Sequence, residues 1–421
     1  MVLAGHRLLD FRRAGVLCLL FGVILTVLVS SRGGPQRFFQ ELDPGTASIG
    51  VCFDGRETRL LCDFTRVYYP QGVLLRAGAG AVRGFYYSPF FAIDMRLLSL
   101  LPFAYARTLW FAIILLSVAV IICLPALFQI ATTLRGAFAY VLVLATSLPL
   151  LHDLFYGQVS SILLSLIALS FLAYQRERRV LSAVLLGLAT AIKFYPALFA
   201  VYFLARRDLR TTLHFGVTVA LCLGLLPWLF LGSHGYFTLA SGIALNLRQL
   251  QSYLESSAYS NAAVTVFTTT AQLWLGMGEG ARAMAIALSA CVALLLFALM
   301  LRSAWRDDAL SSLLLGCVLL PFVVRSCWVH YFVFLPLLQA RVLVAGRAAG
   351  ASAGLRWCGL VGSLSSATLV SYPYFRLAID ADSYYRVGFP FWATLALVPA
   401  ICLSQLDSAQ GKPPSAASAP G

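Results

Sequence analysis

Asp63 lies in the stretch LCDFTRVYYPQG (61–72), beside Arg66, Tyr68 and Tyr69. A carboxylate there has two roles open to it. It acts as a general base that takes a proton from a hydroxyl, or it caps a loop helix, since Asp ahead of an apolar run is a favoured N-cap. Further polar side chains stand out against apolar surroundings. HDLFYGQ carries His152, Asp153 and Gln158; ATAIKFYP carries Lys193; SNAA carries Asn261. GFYYSPFFAIDMRLLSLLP holds Tyr86 and Tyr87 with Asp94 and Arg96, and VVRSCWVHYFVFLP holds Arg325, Trp328 and His330.

Aromatic faces suit sugar rings and prenyl chains. Cations suit a phosphate, arginine as a planar fork and lysine as a point charge. Glycosidases use two carboxyl groups because the departing sugar alkoxide must be protonated. A polyprenyl phosphate departs already anionic, so its sugar transfer needs positive charge nearby and one base. One acid beside a cationic, aromatic pocket therefore reads as glycosyl transfer from a lipid phosphate, with inversion at the anomeric carbon. Asp153 is the alternative acid. No H-E-x-x-H spacing occurs, the histidines are dispersed, and no P-loop or dinucleotide fingerprint is present. Neither a metal nor an organic cofactor is expected, and the lipid-linked donor counts as a substrate.

The elements that must position these residues are membrane helices. The chain is 60% hydrophobic and 11% charged, with a mean hydropathy of +0.84. Its apolar runs have the length that crosses about 30 Å of hydrocarbon. Spans read as 14–30, 108–129, 137–151, 158–174, 212–232, 281–301, 309–325, 329–345, 354–371 and 388–405. This predicts an all-α, polytopic bundle of about 10–11 transmembrane helices in a single domain over 1–406, with a long outer first loop (31–107) carrying interfacial helices. The start, HRLLDFRRAGVLCLLFGVILTVLVSSRGG, lacks a small-residue cleavage site and reads as a retained first helix. The segment 407–421, rich in Pro, Ser, Ala and Gly, reads as a disordered cytoplasmic tail. Cys52 and Cys62 share the first loop and can pair if it faces an oxidising compartment.

The net charge of +14 sits mainly at the ends of apolar runs, where it orients helices and gives no reason to expect nucleic acid. Arg7, Arg12 and Arg13 place the N-terminus in the cytoplasm. One segment, VLSAVLLGLATAIKFYPALFAVYFLARRDLR, decides the later topology. As a single crossing it puts ARRDLR outside and inverts every later loop. As two half-length helices broken at Lys193–Pro196 it keeps both arginine-rich ends inside, and Tyr195–Pro196 is a natural break. Of 31 basic residues only Lys193 and Lys412 are lysine. An ionisable residue at the apex of such a hairpin is costly unless it serves a site; snorkelling to the surface is the alternative.

GQVSSILLSLIALSFLAYQRERRVLSAVLLGLATAIKFYPALFAVYFLARR resembles the core of glycosyltransferase family 87, membrane enzymes of the GT-C class similar to polyprenol-phosphate-mannose-dependent mannosyltransferases. Gly157–Gln158 matches the family's Gly-Gln after the third span, and Ala191–Pro196 its Ala-Ile-Lys-x-x-Pro break. DFTRVYYPQG with FYYSPFF matches the first loop. CWVHYFVFLP is similar to a late Ser-Trp-x-His stretch, with Cys327 where serine is usual. Ser160 stands where the family often has Asn, and SNAA where it often has Asn-Gln-Ser. The similarity runs roughly over 60–340.

The resemblance implies a GT-C-like fold and a membrane glycosyltransferase that uses a polyprenyl-phosphate sugar, mannose first and a pentose such as arabinose as the alternative. The acceptor would be a glycolipid or glycan. The setting would be the bacterial inner membrane, with the site facing the periplasm. It implies Asp63 as the base and His330 hydrogen-bonding donor phosphate or acceptor. Lys193, with Gln158 and Arg325, would hold the donor. Tyr68, Tyr69, Tyr86 and Tyr87 would line the sugar and lipid groove, with His152, Asp153 and Asn261 as further candidates. The tyrosines also fit as interfacial anchors, and His330 as a helix-end residue satisfied by backbone. A transporter of a lipid-linked sugar is the competing class, but it calls for inverted repeats, which the sequence does not show.

Overall fold

The computed structural model describes residues 16, 19–28, 60–130, 133–256, 260–324, 327–348, 350–377 and 381–410. These residues form helices and connecting turns; the one β feature among them is an isolated bridge between Ser147 and Ser371. Among the described residues, five helices are long and apolar enough to cross a membrane: Phe103–Leu127, Leu209–Leu250, Gly280–Trp305, Val329–Arg347 and Ser383–Leu406. Five shorter apolar helices accompany them: Leu19–Leu28, Arg135–Ala145, Arg179–Ile192, Tyr195–Ala205 and Ala309–Val323. One further pair, Leu148–Tyr156 and Ser160–Gln175, is bent by 114°. The protein is an all-α, polytopic membrane protein. A helix also stands at Ala353–Leu369, where a span was expected, and the residues after 410 lie outside the described set.

Eight elements matter for the site. They are α1 (Tyr69–Arg76), α2 (Pro89–Leu98), α3 (Phe103–Leu127), α4 (Leu148–Tyr156), α5 (Ser160–Gln175), α6 (Arg179–Ile192), α7 (Leu209–Ala220) and α8 (Ala309–Val323).

The α4–α5 break has an identifiable cause. Gly157 ends α4 in the left-handed region at φ 67°, which glycine enters without steric cost. A Cβ at this position would lie 3.1 Å from the Leu61 Cα. Backbone groups released by the break must find partners if they are buried. The Phe155 carbonyl accepts from the Leu61 N–H at 2.8 Å, and the Gly157 carbonyl from the Trp110 indole N–H of α3 at 2.9 Å. At the start of α5 the Ser160 and Ser161 N–H groups donate to the two Asp153 carboxylate oxygens, each at 3.1 Å. The break thus ties the first loop, α3, α4 and α5 together.

The chain doubles back at Lys193, as the half-helix reading expects. Before the turn, the Arg179 guanidinium lies 3.6 Å from the Tyr174 ring and its Nε 3.6 Å from Asp208. After the turn, Tyr202 and Phe203 pack on that same Tyr174, with ring centroids 5.2 and 5.3 Å away. The start of α6 and the start of α7 therefore share one pole of the molecule. Arg206–Asp307 (3.5 Å) and Arg341–Asp308 (3.8 Å) stand at this arginine-rich pole. The Arg306 guanidinium also donates there, to the Gln405 carbonyl. The sixteen residues of α5 span about 24 Å and lead from this pole to Gln158 at the other. The N-terminal part of the first loop and Cys52 lie outside the described residues. Cys62 is disulfide-bonded, and its partner is not among the described residues.

Gly157→Ala forces a side chain into the left-handed region against the Leu61 backbone and should lower stability by about 1–3 kcal/mol, read as a lower melting temperature in detergent. Single cysteines at Arg178→Cys and Arg210→Cys should label from the same side of the membrane. Labelling from opposite sides would mean a single crossing.

Candidate functional site

At the pole opposite the arginines, Asp63 opens a short π-helical turn, Phe64–Tyr68, that leads into α1. Its side chain makes no capping bond there, which removes the cap reading. The turn is held by aromatic packing on α3. The Phe64 ring stacks on Trp110 with centroids 5.7 Å apart at 15°. Tyr68 meets Trp110, Phe91 and Tyr87 edge-on at 5.8, 5.2 and 5.1 Å.

Asp63 is half-buried, and Gln158 reaches it from the α4–α5 break, where the Gln158 Nε2 donates to Asp63 Oδ2. The other end of the amide is occupied too. Gln158 Oε1 lies 2.8 Å from the Tyr87 hydroxyl and 3.2 Å from the Tyr68 hydroxyl, and the two phenol oxygens are 2.5 Å apart. Burial and the nearby Asp63 carboxylate push the proton affinity of both phenols well above its ordinary value, so they stand as neutral donors.

Lys193 caps α6 at the turn of the hairpin. Its ammonium sits 4.3 Å from the Tyr331 ring, 5.0 Å from Tyr87 and 6.0 Å from Tyr195. Cation–π attraction of this kind offsets part of the cost of removing an ammonium from water. Asp63 and Asp153 are the carboxylates within its electrostatic reach. The first loop is pinned to this turn by Ser88, whose hydroxyl donates to the Ala191 carbonyl and accepts from the Phe91 N–H to cap α2.

His330 lies on a 3₁₀ turn, Val329–Phe332. It is buried, and neither ring nitrogen has a hydrogen-bond partner, so the backbone does not satisfy it. Its ring stacks on His152 at 5.5 Å; His152 in turn stacks on Tyr156 at 4.3 Å and has an unpartnered Nδ1. Asn261 is fully buried, donates its backbone N–H to the Cys327 carbonyl at 2.8 Å, and leaves both side-chain polar atoms unmatched. Buried polar atoms without partners are costly in a protein interior; here they mark groups that a polar ligand would complete. Among the described residues no three His, Cys, Asp or Glu side chains are grouped as metal ligands.

The structure brings Asp63, Tyr68, Tyr87, Gln158 and Lys193 into one network, with His152, Asn261 and His330 at the same pole. Two other candidates, Asp153 and Tyr69, are committed elsewhere. Asp153 is fully buried and committed to capping α5. Tyr69 turns to α3, donating to the Leu101 carbonyl at 3.0 Å and packing on Phe103 at 5.1 Å. Tyr86 is half-buried beside Tyr87. Arg325 lies outside the described residues. Trp110, Tyr195 and Tyr331 belong to the site although sequence reasoning gave them no role. Tyr195 stood inside the quoted Lys193 motif and Tyr331 beside His330, but nothing in their spacing shows that both face one ammonium.

The comparison with known families is decisive. The model of glycosyltransferase family 87 matches residues 85–326, more than half of the chain. The chain belongs to glycosyltransferase family 87. Within the matched stretch lie Tyr86, Tyr87, His152, Asp153, Gln158, Lys193 and Asn261; Asp63, Tyr68, Tyr69 and His330 lie outside it. A similar curated protein is the polyprenol-phosphate-mannose-dependent alpha-(1-2)-phosphatidylinositol pentamannoside mannosyltransferase of Mycobacterium tuberculosis (strain CDC 1551 / Oshkosh). It is 30% identical over 329 residues, covering 75% of this chain and 71% of the relative. No solved structure matches. This family 87 protein is a membrane glycosyltransferase, which sets aside the transporter reading.

Proposed function

We propose that this glycosyltransferase moves mannose from a polyprenyl-phosphate donor to a lipid acceptor, with inversion. The reaction would take place at the pole opposite the arginine-rich ends, facing the periplasm of a bacterial inner membrane. The observation that carries this reading is Asp63, held by Gln158 beside a lysine caged by aromatic rings. The mycobacterial relative's dependence on polyprenol-phosphate mannose and its phosphatidylinositol-based acceptor support the donor and a lipid acceptor.

The chemistry comes from those groups. Asp63 accepts the proton of an acceptor hydroxyl as that oxygen bonds to the anomeric carbon. The bond from this carbon to the phosphate oxygen breaks on the opposite face, and its electron pair leaves with the phosphate. No acid is needed for this leaving group, and Lys193 offsets the charge that grows on it. One displacement inverts the centre. His330 and Asn261 offer their unmatched polar atoms to the phosphate and the sugar hydroxyls. Asp153 is a poor competitor as base, because its oxygens hold the start of α5.

Purified protein in detergent, given polyprenyl-phosphate mannose and a mannosylated phosphatidylinositol, should yield a product one sugar longer, with the opposite anomeric configuration to the donor. Asp63→Asn and Asp63→Ala should lose this activity while still inserting and purifying normally; full activity in both would remove Asp63 as the base. Lys193→Met should lower transfer at least about 30-fold, on the scale of losing a buried charged partner. Lys193→Arg should recover only part of it, because a planar fork does not fit a cage built for a compact ammonium.

A further inference from the structure

Gln158 is set more firmly than a substrate ligand needs to be. It is 6% exposed. Its own N–H donates to the Asp153 carbonyl at 3.0 Å, and the residue before it is held by Trp110. The side chain therefore leaves a fixed backbone.

Proton accounting then gives its network a direction. Three oxygen contacts join Tyr68, Tyr87 and Gln158 Oε1, but two phenols supply only two protons. Each proton is used once, over the shorter distances, if Tyr68 donates to Tyr87 (2.5 Å) and Tyr87 donates to Gln158 (2.8 Å). An ionised carboxylate only accepts, so the amide nitrogen has to face Asp63. The chain runs Tyr68, Tyr87, Gln158, Asp63, every donor pointing toward the carboxylate. Such chains polarise one another and strengthen the last bond.

We propose that Gln158 is a positioning residue for Asp63. Polarised by the Tyr68–Tyr87 pair, its amide N–H holds the Asp63 carboxylate ionised and in one orientation. This deepens the proposed glycosyl transfer and rests on Asp63 being its base. An amide neither takes nor gives up the proton in this reaction; the proton stays on Asp63. Tyr68, Tyr87 and Lys193 are in electrostatic contact with Asp63, Asp153 acts on the same three, and Arg66 shares the turn that Asp63 opens. Of these the phenols stay neutral and Lys193 is unchanged by substitution at 158. A hydrogen bond donated to the ionised carboxylate favours that form, so its removal must make Asp63 easier to protonate. The acid limb of the pH–rate profile then moves to higher pH.

The test is the pH dependence of transfer from polyprenyl-phosphate mannose to a mannosylated phosphatidylinositol, in detergent, for the wild type, Gln158→Ala, Gln158→Glu and Tyr87→Phe. Gln158→Ala should lower kcat about ten- to a hundredfold, the scale of a hydrogen bond to a charged group. Its donor KM should stay within about threefold, and its acid limb should rise by roughly one pH unit. Tyr87→Phe should move the limb the same way by less. Gln158→Glu, close in volume and so the variant to use if alanine fails to fold, should move it furthest, because two carboxyl groups then face each other. A higher donor KM with an unmoved limb would make Gln158 a substrate ligand and overturn the proposal. A loss of activity with an unmoved limb would make it merely structural, which also overturns it.

A second readout needs no turnover. Carbodiimide couples to the protonated form of a carboxyl group, so the pH midpoint of Asp63 labelling, read by mass spectrometry, should rise in Gln158→Ala. If the wild type transfers no sugar but this midpoint rises, the glycosyl-transfer reading fails while the Gln158–Asp63 coupling stands. If the wild type is active and the midpoint does not move, only the coupling fails.

Discussion

The break at Gly157 is the constraint on which the site depends. An uninterrupted helix from 148 to 175 would carry Gln158 in its interior, with its backbone locked in the ladder and its side chain aimed by helical pitch alone. Breaking the helix by 114° frees carbonyls that are buried in the protein and must be paired there. Leu61 and Trp110 pair them, and Leu61 lies two residues before Asp63. The hydrogen bond that repairs the break therefore also delivers the carboxylate. Asp153 repairs the other side by capping α5. It is an unusual cap, placed before the break and reaching across it, which is why its sequence position resembles that of a working acid.

The second fixed point is the Lys193 turn. An isolated ammonium in an apolar bundle costs several kcal/mol, and a lysine there persists only with compensation. The compensation comes from Tyr87, Tyr195 and Tyr331, three rings drawn from the first loop, the hairpin itself and the segment after α8. A cage of neutral rings has a property that a salt bridge lacks. It stabilises the ammonium without neutralising it, so the charge remains available to an anion. The Ser88–Ala191 hydrogen bond keeps the first loop seated on this turn, so the cage and Asp63 belong to one body.

Much of this was legible from residue types. The Lys193–Pro196 break, the doubling back of the chain and the prominence of Asp63 come from the cost of charge at membrane depth, from proline's effect on the preceding residue, and from the placement of arginines. Gly157–Gln158 was visible as a motif, but its action was not. Whether a glutamine binds a ligand or a neighbouring carboxylate depends on which side chains a distant loop brings to it. Tyr69 and Tyr87 look alike in sequence. They face different ways because Tyr69 starts α1 and turns to α3, whereas Tyr87 lies in the loop before α2 and reaches Gln158. Tyr331 joins the cage through tertiary packing, its ring lying against Tyr195.

One ring belongs to both halves of the site. The Tyr87 face receives the Lys193 ammonium at 5.0 Å, and its hydroxyl donates to Gln158 at 2.8 Å. A cation over the ring draws electron density from the phenol and makes its O–H a better donor, which strengthens the chain leading to Asp63. The Lys193 ammonium and the Asp63 carboxylate, the proposed partners of the leaving phosphate and of the acceptor's proton, are thus joined through a single side chain. Family 87 similarity as matched covers Tyr87, Gln158 and Lys193 but stops short of Asp63 and His330 at either end. The shared segment carries the scaffold of the network, and the flanking segments complete it with the carboxylate and the unpartnered imidazole.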